Sequence, residues 1–156
     1  MNTLHTASLP LAKQWLANLG INHYSCDHCS ALHLTGLPGM EEALESRLFV
    51  EEWGLLLSTE FQIRPSALLP LVAEMSQLNG NYPTMKLFVD IVDDAVPQLV
   101  AGATLLTGAG ISEGQFALFT ATTVEMLTEL HNELQQMECL TTPEIHSGEN
   151  GGHSLH

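Results

Sequence analysis

Basic side chains are almost missing from this chain of 156 residues: Lys13, Arg47, Arg64 and Lys86 are the only ones, against eighteen Asp and Glu. Proteins that hold nucleic acid do so largely by neutralising phosphates with Lys and Arg, and four scattered cations cannot build that footprint. Direct binding of DNA or RNA is therefore not expected. The same scarcity argues against docking on anionic membrane, where each nearby cation contributes roughly 1 kcal/mol. Long apolar runs are missing too. The most apolar strand-like run, Leu99 to Leu106, is interrupted by Gly102 and Thr104 and falls far short of the ~20 residues a membrane span needs. Met1 to Pro10 has neither a cationic region nor a long apolar core, so no signal peptide is expected. Cysteine is scarce and odd in number, three in all, which suits a reducing compartment better than a disulfide framework. A soluble, cytoplasmic protein is the expectation.

What is present fits a single globular domain. Hydrophobic residues make up 45% of the chain, enough for a core despite the charge. The formal net charge of -14 keeps such a protein soluble and sets up a long-range negative potential that favours basic partners.

Ser8 can cap a first helix, with Pro10 in its opening turn and Gly20 ending it. Ala12, Trp15, Leu16 and Leu19 repeat at helical spacing and form its expected buried stripe. Tyr24 to Leu34 changes character, to short extended pieces around a turn. Leu44, Leu48 and Val50 suit period two, and Leu55, Leu57, Thr59, Phe61 and Ile63 alternate with a polar set, which is a half-buried strand. A hairpin at Glu52-Trp53-Gly54 joins the two, with Gly54 expected to supply a positive φ. After Pro65, residues Leu68, Leu71, Val72, Met75 and Leu78 trace a second helix that must start late or bend at Pro70. Met85 to Ile91 is another strand, Asp93-Asp94 a turn, and Leu99 to Leu105 a further strand with Pro97 at its start. Ser112 and Gln115 form a capping box that opens the longest helix, down which Phe116, Phe119, Thr123, Leu127, Leu130 and Leu134 share one face. The predicted order is helix, three strands, helix, two strands, helix. That implies an α+β fold with a mainly antiparallel sheet packed by three helices, spanning residues 1–140, and a polar flexible tail over residues 141–156.

Three features could carry chemistry. Cys26-Asp27-His28-Cys29, with His33 and His23 nearby, offers thiolates and imidazoles of the kind that hold zinc. A structural zinc site draws a second ligand pair from elsewhere, and the remaining Cys139 is remote and alone. A thioredoxin-like role needs the motif at the start of a helix, whereas a strand-like segment follows. The ordinary structural reading of Cys26, Cys29 and His33 therefore stands ahead of metal binding, and metal ahead of redox. The histidines near the end, His146, His153 and His156, belong to the tail and suit a solvated segment. Glu125, Glu129 and Glu133 line up at i, i+4 and i+8 with no Lys or Arg beside them. Each such like-charge pair costs an isolated helix roughly 0.2–0.5 kcal/mol. A plain solvated face is the common explanation, and a landing strip for a basic partner protein is the other. No nucleophilic elbow, phosphate-binding loop or zinc-protease motif is present, so neither an enzyme nor a cofactor is expected.

Several blocks form a recognisable pattern: Gln14-Trp15-Leu16 with Leu19-Gly20, Cys26-Asp27-His28-Cys29-Ser30-Ala31-Leu32-His33-Leu34, Arg64-Pro65-Ser66-Ala67-Leu68-Leu69-Pro70, Asp93-Asp94 with Pro97, Leu99 and Val100, and Gln115-Phe116-Ala117-Leu118-Phe119. Together they resemble the YbjN family of bacterial sensory-transduction regulators, within it the enterobacterial AmyR-like branch, over nearly everything up to about Leu140. The resemblance implies a fold like that of class I type III secretion chaperones, which are small, acidic, cytoplasmic and usually dimeric. It implies a regulator of exopolysaccharide and virulence, motility or stress output, and it carries over no catalytic or ligand residues. The expected function is non-enzymatic regulation through protein–protein contact. The alternatives are a secretion-chaperone-like protein holding an effector segment and a Cys/His metal-binding or thiol-redox protein. A homodimer is left open.

Overall fold

The computed structural model describes residues 3–37, 43–93 and 95–141. Its elements are α1 (Leu9–Asn18), β1 (Asn22–Ser25), β2 (Leu32–Thr35), β3 (Ala43–Val50), β4 (Gly54–Gln62), α2 (Leu68–Asn81), β5 (Met85–Asp90), β6 (Gln98–Leu106) and α3 (Glu113–Gln136). The strands form one six-stranded sheet in the order β1-β2-β3-β4-β6-β5, and every neighbouring pair is antiparallel. The α+β expectation therefore holds, with one correction to the strand count. Four strands precede α2 rather than three, because the extended pieces on either side of the Asp27-His28 turn are two separate strands, pairing from Asn22↔Thr35 to Ser25↔Leu32. The tail expected beyond residue 141, the turn residue Asp94 and the start of the segment before β3 lie outside the described residues. Among the described residues, no helix is long and apolar enough to cross a membrane.

Strand side chains alternate between two faces, and the register fixes which residues share one. Leu32, Leu48, Leu57, Ala103 and Met85 form a row across five strands. They join Phe61, Leu55, Leu99 and Leu87 in a single core with Trp15 and Leu16 of α1, Leu71 and Leu78 of α2, and Phe116, Leu127, Leu130 and Leu134 of α3. The helices thus all contribute to the same side. One polar pair sits inside it: the hydroxyls of Ser46 and Thr59 bond across β3 and β4 at 2.8 Å, which satisfies two groups that would be costly to bury alone. The adjacent row, Tyr24, His33, Arg47, Ser58, Gly102 and Lys86, crosses all six strands on the opposite face and stays outside that core.

The helix ends follow the sequence signals. Ser8 accepts the Leu11 N–H at 3.3 Å, and Gly20 leaves α1 at φ 72°. Ser112 and Gln115 exchange bonds of 3.1 and 2.9 Å in the expected capping box. A short 3-10 turn, Pro65–Ala67, precedes α2. Pro70 falls in the first turn of the helix, where a missing N–H costs nothing. Two stripe residues are placed differently from expectation. Leu19 is 41% exposed because the chain already leaves α1 there, and Val72 is 49% exposed. Helix α2 packs on the edge strand β5, and that position covers a narrow stripe only. Gly54 has the positive φ expected of it, 159°, close to fully extended backbone. The glycine is needed because a Cβ there would lie 2.1 Å from the Leu105 carbonyl oxygen.

Candidate functional site

The β1–β2 hairpin brings the Cys/His cluster together. Its tight turn at Asp27-His28 separates Cys26 from Cys29, so both thiols emerge from the same turn. His33, second in β2, points to the face opposite the helices and therefore back over that turn. The two Sγ atoms are 3.0 Å apart, and His33 Nε2 lies 3.0 Å from Cys29 Sγ and 3.2 Å from Cys26 Sγ. All three donor atoms fall within 4.8 Å of one another. The cysteines are half-buried, whereas His33 is buried.

The imidazole is held on its other sides. Tyr24, its cross-strand partner, stacks on it at 4.6 Å between ring centroids with 9° between planes. The Glu45 carboxylate of β3 lies against Nδ1, in contact but without the alignment of a full hydrogen bond. Arg47 donates to Glu60 at 2.9 Å and approaches Glu45 to 3.9 Å, so the carboxylate is itself placed. Neither other nearby histidine belongs to the cluster. His23 faces away, with Nδ1 at 3.0 Å from the Ile21 carbonyl, and His28 is exposed in the turn. Cys139 is buried beyond α3, and burial pushes its thiol pKa up.

The two hairpin thiols are electrostatically unequal. The Cys29 thiol, donating to Cys26, is the main cause that lowers the Cys26 pKa from 9.0 to about 6, followed by the His28 backbone N–H and by His33. The same bond raises Cys29, because ionising it would surrender the donor. In the reduced protein stripped with chelator, Cys26 should thus be mostly thiolate at neutral pH. Its alkylation rate by iodoacetamide, followed by mass spectrometry of the Cys26 peptide, should rise through a midpoint near pH 6. In Cys29→Ala that midpoint should move up toward the ordinary thiol range. A wild-type midpoint near 9 would rule this out. Chemically, two sulfurs and one imidazole nitrogen converging on a point can accept a borderline-soft cation or take part in thiol exchange. The pair lies in a hairpin turn rather than at a helix start, so the helix-dipole activation of thioredoxin-like sites is missing.

The glutamate row on α3 divides. Glu125 and Glu129 are exposed, while Glu133 is half-buried and accepts the Tyr82 hydroxyl at 2.6 Å. Burial raises the Tyr82 pKa, with Glu133 adding to it. Glu133 is thus a packing contact between α3 and the end of α2, and two of the three expected partner-binding residues stand free on the surface. Sequence reasoning missed Glu45 and Tyr24. Tyr24 needed the strand register, which pairs it with His33 about a centre between His28 and Cys29 rather than about Asp27-His28. Glu45 carried no signal, because its approach depends on the β2–β3 register.

A family model described as "YbjN: Putative bacterial sensory transduction regulator" matches residues 13–136. The protein named "Uncharacterized protein YbjN" in Escherichia coli K12 is 34% identical over 128 residues, covering 82% of this chain and 81% of its own. Its counterpart in Shigella flexneri is related to the same degree. A solved structure, "Crystal structure of YbjN, a putative transcription regulator from E. coli", superposes with a TM-score of 0.81 at 31% identity, covering 90% of this chain and 100% of that one.

Proposed function

The chain belongs to the YbjN family, and from that premise we propose that it is a non-enzymatic regulatory protein that acts by binding another protein. The observation that carries this reading is the pair of exposed glutamates on α3. Glu125 and Glu129 are exposed on successive turns, and the ion pairs among the described residues lie on the sheet instead. Like charges so placed weaken an isolated helix and gain when a basic partner meets them. The net charge of -14 adds long-range attraction, and the scarcity of cations favours a protein over nucleic acid as the partner. The outputs that the family resemblance suggests are exopolysaccharide and virulence, motility or stress response, reached from the cytoplasm.

The test is affinity capture from cells with wild type and with Glu125→Lys/Glu129→Lys, leaving Glu133 in its bond to Tyr82. A partner with a basic surface should be recovered by wild type, lost on raising salt to about 0.5 M, where screening acts within roughly 4 Å, and lost from the double variant. Equal recovery by both proteins would sink the acidic-helix reading.

A second reading has its own support. An open groove of about 370 Å³ between β6 and α3 is lined by Leu105, Leu118 and Phe119 among other residues, and Leu118 is 69% exposed. Such a surface suits an extended apolar segment, as in a secretion-chaperone-like protein. Recovery of a secreted effector by both variants would favour it.

A further inference from the structure

We propose that Cys26, Cys29 and His33 form a zinc-binding site, with the fourth coordination position filled from outside these three residues. The sequence supplies no second Cys pair to complete a four-ligand structural site. A site with three protein ligands needs no such pair, since zinc sites that leave a position for water or another donor are built this way.

The geometry fits the ion. Zinc takes thiolate sulfur at about 2.3 Å and imidazole nitrogen at about 2.0–2.1 Å. Tetrahedral angles then place the donors roughly 3.5–3.8 Å apart. The observed separations are 3.0, 3.0 and 3.2 Å, so the triangle opens by only about 0.4–0.8 Å to admit the metal. Two of the donors sit at the ends of one turn, where small side-chain rotations supply that movement.

The surroundings of His33 point the same way. A histidine that ligates zinc through Nε2 carries its proton on Nδ1 and gives it to a carboxylate or carbonyl, which fixes the tautomer and the ring. Here Nε2 faces the sulfurs while the Glu45 carboxylate lies against Nδ1, and Arg47 approaches that carboxylate in turn. Tyr24 covers one face of the ring. The donor set selects against magnesium and calcium, which take oxygen ligands.

The test uses the full-length reduced protein, stripped with chelator and titrated with cobalt(II) and then zinc. The expected result is one cobalt per chain with the intense absorption of thiolate-ligated tetrahedral cobalt, bleached by one equivalent of zinc. Cys26→Ser and Cys29→Ser should each remove the thiolate band or weaken zinc binding at least about 100-fold. Glu45→Gln, which keeps all three donors, should weaken it about 10–100-fold. Replacing His146, His153 and His156 together by Ala should leave the spectrum unchanged. Should the cysteine variants fail to fold, alkylation of the wild-type chain decides the matter, because zinc should slow modification of Cys26 and Cys29 more than about tenfold. Six-coordinate cobalt without a thiolate band would overturn the site. So would binding that survives Cys26→Ser/Cys29→Ser, binding lost with the terminal histidines, or wild-type thiols left unprotected by zinc.

Discussion

Gly54→Ala is expected to destabilise the fold by about 3 kcal/mol or more. The new methyl carbon would lie 2.1 Å from the Leu105 carbonyl oxygen, 3.0 Å from its carbon and 3.1 Å from Leu106 Cα. These are backbone atoms of a paired strand and cannot swing aside as a side chain can. Relief requires parting β4 from β6 where Gly54 meets Leu106. It also disturbs the tight turn, whose Glu51 and Gly54 exchange backbone bonds of 2.8 and 3.2 Å. Gly102→Ala is the control. Its added carbon meets only the end of the Leu56 side chain, at 3.4 Å, and should cost less than about 1 kcal/mol. Urea unfolding followed by far-UV circular dichroism compares the two midpoints. Coincident midpoints would refute the close-approach explanation.

Phe61→Ala should cost about 3–5 kcal/mol. Phe61 is 0% exposed on the covered face of the interior strand β4 and packs near His131, with ring centroids 6.2 Å apart. Removing the ring forfeits its burial and leaves a cavity that rigid strands on both sides collapse around only in part. Domains are typically stable by about 5–15 kcal/mol, so this one change removes a large share. Phe88→Ala offers the comparison. Its ring is 44% exposed on the edge strand β5, on the opposite face, and its loss should cost under about 1 kcal/mol. The same unfolding measurement applies, and a Phe61→Ala midpoint close to that of Phe88→Ala would contradict the two-faced sheet.

The parts of the fold legible in the sequence are those where burial is one-sided over many residues. Leu55 to Ile63 alternates because β4 has core on one face and not on the other, and Ser112 with Gln115 announces α3 because a helix N-terminus needs those acceptors. The hairpin of β1 and β2 was harder to read. Four residues per strand give too few repeats for a period, and Cys-Asp-His-Cys occupies the turn. Periodicity also told which side of α1 and α2 faces inward but not how wide the cover is, hence Leu19 and Val72. At the site, Cys26, Cys29 and His33 were visible as residue types at a suggestive spacing. Their convergence depends on the alternation that turns His33 away from the core, and Glu45 reaches them only through the pairing of His33 with Arg47. Glu133 was legible as a charge, but its bond to Tyr82, 51 positions away in sequence, was not.

Among the described residues, strand β1 is the outermost on its side of the sheet and pairs only with β2. The hairpin in turn joins β3 through the pairs Leu32–Leu48, His33–Arg47 and Leu34–Ser46. Amide protons of Asn22–Ser25 should therefore exchange with solvent through a small local opening, far faster than those of β4, whose release needs the whole sheet to come apart. Cys26, Cys29 and His33 all ride on this hairpin, whereas Glu45 belongs to β3 in the body of the sheet. Whatever ties His33 to Glu45 ties an edge hairpin to an interior strand. Chemistry at the hairpin tip that strengthens the His33–Glu45 contact should therefore lengthen the time the sheet's edge stays closed.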